Sequence, residues 1–182
     1  GNNYAQVDEA PEHEVCVDDF YLDKYEVVQV RWEKVMGFNP SRFIGPNRPV
    51  EQVTFYDAQE FAESEDCRLP TEAEWEYACR EGGRKVRYCN GKDEASKSAI
   101  YYGSTMTKPV ASFAPNSLGL YDMSGNVFEW CWDWYADDFY SLSPSDDAIG
   151  VPFNHSPPHG TTEEPVFPPP PEKKKNNITN HN

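Results

Sequence analysis

The chain has 182 residues, with 16 Lys+Arg against 31 Asp+Glu and a formal net charge of −15, room for one domain and a tail. No apolar run approaches the roughly 20 residues of a bilayer-spanning helix, and an acidic field with scattered basic residues repels phosphate backbones, so a membrane span and a nucleic-acid partner are both excluded. Five Trp and eleven Tyr need a core to bury them and argue against a disordered chain.

The chain opens Gly1-Asn2-Asn3-Tyr4 without an apolar signal core, so any targeting segment is expected upstream. From Glu14 to Leu22, Val15, Val17, Phe20 and Leu22 recur with a period near two, broken at Asp18-Asp19, which predicts a strand with a bulge. Val28, Trp32, Val35 and Met36 fall at helical spacing before Gly37, predicting a short amphipathic helix. Thr54 can cap a second helix with Phe55, Ala58, Phe61 and Ala62 on one face. Thr71 and Glu74 form the sequence pattern of a capping box, and Gly82-Gly83 closes that third helical segment.

Beyond Gly83 helical periodicity disappears, and Gly, Pro, Asn and Ser interrupt aromatic pairs; loops and short strands are expected. Trp130, Trp132, Trp134, Tyr135, Phe139 and Tyr140 alternate with acids, favouring a half-buried strand that leads into a polar loop over a ligand-stacking surface. The bottom-up class is α+β with much irregular backbone.

Composition changes near residue 150. Residues 151–182 hold eight of the 16 prolines, three acids and three lysines, so residues 1–150 carry the whole net charge. A polyproline run, Pro168 to Pro171, favours an extended solvated backbone, and residues 151–182 are expected to be a mobile tail. Asn154-His155-Ser156 and Asn177-Ile178-Thr179 fit a glycosylation sequon that polar Asn-rich stretches also produce by chance.

Cys16, Cys67, Cys79, Cys89 and Cys131 contain no CxxC pair, which removes zinc-ribbon and thioredoxin-type readings. An odd number leaves at least one thiol unpaired within the chain, and the pairing among the rest stays open. His13, flanked by Glu12 and Glu14, reads as a solvated histidine without catalytic partners. Asp122 and Glu129 flank a Gly125-Asn126 turn. A hard cation such as calcium takes several oxygens, carbonyls included, but acids beside such a turn also serve as capping residues.

Five ordered stretches are more specific: Phe20-Tyr21-Leu22-Asp23-Lys24-Tyr25-Glu26-Val27, Asn39-Pro40-Ser41-Arg42-Phe43, Arg48-Pro49-Val50, Arg68-Leu69-Pro70-Thr71-Glu72-Ala73-Glu74-Trp75-Glu76-Tyr77-Ala78, and Gly119-Leu120-Tyr121-Asp122-Met123-Ser124-Gly125-Asn126-Val127-Phe128-Glu129-Trp130. Together they resemble the formylglycine-generating enzyme, or sulfatase-modifying factor, family over roughly residues 8 to 145. The resemblance implies a C-type-lectin-like fold, with short helices around a small twisted sheet and long irregular loops. It also implies a calcium site using the side chains of Asp122 and Glu129 and the carbonyls of Gly125 and Val127. The family's other calcium site would fall between Ser98 and Phe113, where no acid occurs, and it is not carried over.

Family members continue beyond the last motif through an Arg-Gly-Gly-Ser-Trp/Tyr segment to a closing Gly-Phe-Arg, and the oxidase's copper-binding cysteine pair lies there. Neither stretch is present, so copper is not expected, and Cys79 or Cys131 is no simple replacement for thiolates that must be held together. The related iron sulfoxide synthases need several histidines, which His13 alone does not supply. The resemblance therefore implies a domain, residues 1–150, that is short at both ends, with sheet edges for a partner to cover.

The expected function is a non-catalytic, calcium-stabilised protein-interaction or structural module that contacts another protein or copies of itself. The alternative is a fragment or divergent copy of a formylglycine-generating oxidase acting on a cysteine in a sulfatase-like substrate. Sequence leaves the location unassigned, with an extracytoplasmic one favoured.

Overall fold

The computed structural model describes residues 15–86, 88–89 and 106–133. The chain divides into two units, Gly1–Val151 and Pro152–Asn182. All of the second unit, with the expected tail and both sequons, lies outside the described residues, as do His13 and the aromatic run from Trp134 to Tyr140. No helix among the described residues is long and apolar enough to cross a membrane.

Among the described residues three short helices carry the fold: α1 (Gln29–Met36), α2 (Phe55–Ser64) and α3 (Glu72–Cys79). α1 ends where Gly37 turns left-handed at φ 78° and its N–H donates back to the Glu33 carbonyl, a conformation that costs glycine little. α2 and α3 start on reciprocal capping boxes, Thr54 with Asp57 and Thr71 with Glu74. In each box the hydroxyl accepts an orphan N–H of the first turn and the N3 carboxylate accepts the N-cap N–H.

The third helix stops at Cys79, short of the Gly82-Gly83 pair. Glu81 already adopts φ 54°, and this turn buries its carboxylate, which accepts Ser117 N–H at 2.8 Å and Arg84 Nη1 at 2.7 Å. Satisfying that buried acid ends the helix before the glycines do.

The strand expected over residues 14–22 does not form. Cys16 makes only an isolated bridge, and the described residues contain no strand. The alternation survives without a ladder: Phe20 and Leu22 pack inward beside Trp75 and Leu120, while Tyr21 is 98 % exposed. A period of two records which side faces the core and leaves open whether a neighbour pairs with the backbone. The aromatic strand expected from Trp130 is likewise absent as far as Asp133. Phe55 instead receives Trp130 and Trp132 with ring centroids 6.0 and 6.4 Å away.

Among the described residues two apolar clusters make the core. In the first, Trp32 of α1 stacks on Phe61 of α2 at 5.0 Å and 12°, with Val50 beside them. The second joins Ala78 and Cys89 to Met123, with Phe20, Leu22 and Trp75 against them.

Long loops need another anchor, and Gln29 supplies it. This fully buried side chain donates Nε2 to the carbonyls of Phe43 (2.9 Å) and Pro49 (3.0 Å), while Oε1 accepts Asn39 Nδ2 and Gly45 N–H, both at 3.0 Å. One amide thus fills both its donor and acceptor capacity and holds the loop from Asn39 to Pro49 against α1. Gln29→Leu keeps the bulk and strands these partners, so it should lower unfolding stability by about 3 kcal/mol, against about 1 kcal/mol for Thr54→Ala. Urea unfolding checks the pair, and equal losses would contradict the role given to Gln29.

Candidate functional site

The residues that sequence reading singled out, Asp122, Gly125, Val127 and Glu129, lie on one irregular segment whose backbone is bent three times. Asp122, Gly125 and Asn126 have φ of 59°, 127° and 73°. Gly tolerates such a conformation freely and Asp and Asn better than most side chains, so the residue types match the path of the chain.

Other segments grip this turn. Asn126 is the hub: its Oδ1 accepts Lys108 N–H at 2.9 Å, and its Nδ2 donates to the Lys108 carbonyl at 3.2 Å and to Glu26 Oε2 at 2.6 Å. The second oxygen of Glu26 accepts Val127 N–H at 3.2 Å. Nearby, Tyr121 N–H donates to the Lys24 carbonyl at 3.1 Å, and the rings of Tyr25 and Tyr121 lie 5.0 Å apart. The Asp122 carboxylate accepts Ala111 N–H at 2.7 Å. Ala111 itself sits at φ 58°, a strained conformation for an alanine. From α3, the Trp75 indole donates to Glu129 Oε2 at 3.0 Å.

Three carboxylates therefore converge, and among the described residues no cationic side chain pairs with them. Burial pushes Glu26 up from 4.5 to about 9, helped by the negative charges of Glu129 and Asp122 and opposed by the hydrogen bonds from Asn126 and Val127. Burial also raises Asp122, against the Ala111 hydrogen bond. Glu129 is raised by crowding around its carboxyl group, although the residue as a whole is exposed, with Asp122 adding repulsion and Trp75 opposing it. No ion pair among the described residues involves any of the three. The lysines that enter the site by their backbones aim elsewhere: Lys24 Nζ lies 5.6 Å from the Tyr121 ring centre and Lys108 Nζ 4.9 Å from that of Phe113.

The donor chemistry suits a hard cation in one respect and limits it in another. Among the described residues no group of three or more His, Cys, Asp and Glu side chains could hold an ion alone, so backbone carbonyls would have to complete the shell. Both oxygens of Glu26 are used to hold the turn, which makes it a positioning residue. Asp122 and Glu129 each engage one oxygen, Oδ2 and Oε2, and each has a second to offer.

The cysteines divide clearly. Cys79 and Cys89 form a disulfide, while Cys16, Cys67 and Cys131 are free thiols. Burial, with the charges of Asp133, Glu72, Glu129 and Glu74, pushes the Cys131 thiol up to about 12, and a thiol so protonated is a poor nucleophile at neutral pH.

Sequence reading missed Glu26, Ala111 and Trp75 as parts of this site. Glu26 and Trp75 stand in the quoted motifs, but nothing local indicates that they meet a turn 100 and 54 positions away. Ala111 carries no signal of its own.

The raised acids have a consequence for stability. A carboxyl whose folded pKa is raised binds its proton more tightly in the folded state, so Glu26 contributes stability that is full below about 4.5 and lost as pH rises towards about 9. The metal-free melting temperature should fall across that window, and Glu26→Gln should flatten the fall. A wild-type curve that rises with pH, or an unchanged slope in the variant, would contradict this electrostatic picture.

Comparison with known proteins gives the family. A family model described as the sulfatase-modifying factor enzyme 1-like domain matches residues 1–156. The chain is 35% identical to chaperone protein LppX of Paenibacillus barcinonensis over 67% of its own length and 65% of LppX. It is 38% identical to serine/threonine-protein kinase pkn1 of Chlamydia caviae, covering 79% of this chain and 27% of the kinase. It is 37% identical to formylglycine-generating enzyme of Streptomyces coelicolor, over 65% and 43% respectively. It thus spans less than two thirds of each relative. Among solved structures, PvdO from Pseudomonas aeruginosa superposes with a TM-score of 0.65 at 30% identity, covering 81% of this chain and 69% of PvdO. With the motifs, the loop-rich fold and a match of this extent in agreement, the chain belongs to the sulfatase-modifying factor enzyme 1-like domain family.

Proposed function

We propose that this domain is a non-catalytic, calcium-stabilised interaction or structural module built on the family's lectin-like scaffold. The observation that carries the reading is the meeting of Glu26, Asp122 and Glu129 with no cationic side chain paired to them among the described residues, at a turn whose remaining donors are carbonyls. Calcium held by the side chains of Asp122 and Glu129 and the carbonyls of Gly125 and Val127 would favour the ionised form of these acids, with the hard oxygen donors it prefers.

Two facts about sulfur argue against Cys79 or Cys131 as an oxidase thiol. Cys79 is tied up in a disulfide, and the environment of Cys131 keeps its thiol protonated. The range of names among relatives, a chaperone and a kinase beside an oxidase, also fits a scaffold reused for contact with other proteins. A partner protein or a second copy is the proposed contact. The disulfide favours an extracytoplasmic location, because such bridges persist in oxidising compartments.

The second reading is a divergent formylglycine-generating oxidase acting on a cysteine of a sulfatase-like substrate, favoured by the family match itself. Copper-dependent oxidation of a peptide cysteine by this chain would establish it and overturn the first.

For calcium, a chelator should lower the melting temperature and Asp122→Ala should abolish the difference. Saturation at about 100 times Kd corresponds to about 2.7 kcal/mol. Identical melting curves with calcium and with chelator would retire the site.

A further inference from the structure

We infer that the Cys79–Cys89 disulfide sets the affinity of the Asp122–Glu129 turn for calcium, so that reducing the bridge loosens the ion. The inference rests on the calcium reading above and adds a control on that site.

The argument starts from α3. Trp75 and Cys79 stand four residues apart on this helix, which places them on one face. Trp75 grips one end of the turn directly through its hydrogen bond to Glu129. Cys79 grips the other end indirectly: the bridge carries Cys89, whose N–H donates to Ser124 Oγ at 2.9 Å, and buried Cys89 packs in one cluster with Met123. Met123 and Ser124 lie between Asp122 and Gly125. One helix thus holds both ends of the proposed ligand segment, one by an indole and the other by a bridge.

The helix itself does not depend on the bridge. Its capping box, the paired hydrogen bonds of Arg68 with Glu74 at 2.6 and 2.7 Å, and the Asn116 Nδ2 donation to the Ala78 carbonyl at 3.0 Å are separate anchors. Opening the bridge therefore releases residue 89 from α3 while Trp75 stays on Glu129. The segment slackens between its two carboxylates and the shell loses its preset spacing.

The chemical step is ordinary exchange. A dithiol gives two electrons and two protons to the Cys79–Cys89 bond, which becomes two thiols, and the dithiol leaves as its cyclic disulfide.

Calorimetric titration with calcium of the full chain, oxidised and then reduced with dithiothreitol, tests the inference. Reduction should weaken binding by about fivefold or more, and the double variant Cys79→Ser/Cys89→Ser should match the reduced chain. By thermodynamic reciprocity, calcium should shift the dithiothreitol reduction equilibrium of the wild type towards the disulfide by the same factor, a readout that needs no variant. Equal calcium affinity before and after reduction would overturn this inference and leave the calcium reading standing. No calcium binding by the oxidised chain would overturn both. Loss of the near-ultraviolet dichroism of the whole chain on reduction would also overturn it, since the bridge would then be a general staple.

Discussion

Three carboxylates cannot share a partly buried corner at no cost, and the region around Asp122 is shaped by that constraint. Glu26, Asp122 and Glu129 raise one another or are raised by burial, and hydrogen bonds from Asn126, Val127, Ala111 and Trp75 offset only part of the effect. Those bonds draw on segments more than a hundred residues apart in the chain. The same arrangement that concentrates the negative charge therefore also ties the N-terminal segment, α3 and the loop at Lys108 together. A cation would convert a costly cluster of acids into a joint between these segments, and this is the physical content of the proposed calcium role.

The fold suits such a joint because it has little else. Three helices of eight to ten residues leave most of the described backbone without a ladder, and buried polar side chains do the work a sheet would do elsewhere. Gln29 organises the loop after α1, Asn116 binds the end of α3, and Glu81 turns the chain beyond it. A family scaffold held by polar hubs can vary its loops, consistent with its presence in relatives that carry quite different names.

What was legible from the residues alone was local or apolar. Thr54 and Thr71 announce their helices because a cap and its partner lie three positions apart, and the inward positions of Phe20 and Leu22 follow from alternation. The strand expected there failed because pairing depends on a neighbour that periodicity does not encode. The bridge between Cys79 and Cys89 could not be read from five cysteines with open connectivity. Asp122, Gly125, Val127 and Glu129 were named through resemblance, since two acids near a glycine turn suit a cap as well as a ligand. Glu26 was hidden by distance: its contact partner lies 100 positions on, and only folding places its charge beside the others.

Direct occupancy of the turn by a hard cation is the central claim, and the position of Trp75, with its indole 3.0 Å from a Glu129 oxygen, supplies a built-in reporter. Terbium, a luminescent ion with calcium's preference for oxygen, should show indole-sensitised emission with this chain. The account predicts emission that saturates at one ion per chain, is displaced by calcium and is weakened in Trp75→Phe. A folded chain that gives no sensitised emission, or emission that calcium does not displace, would contradict it.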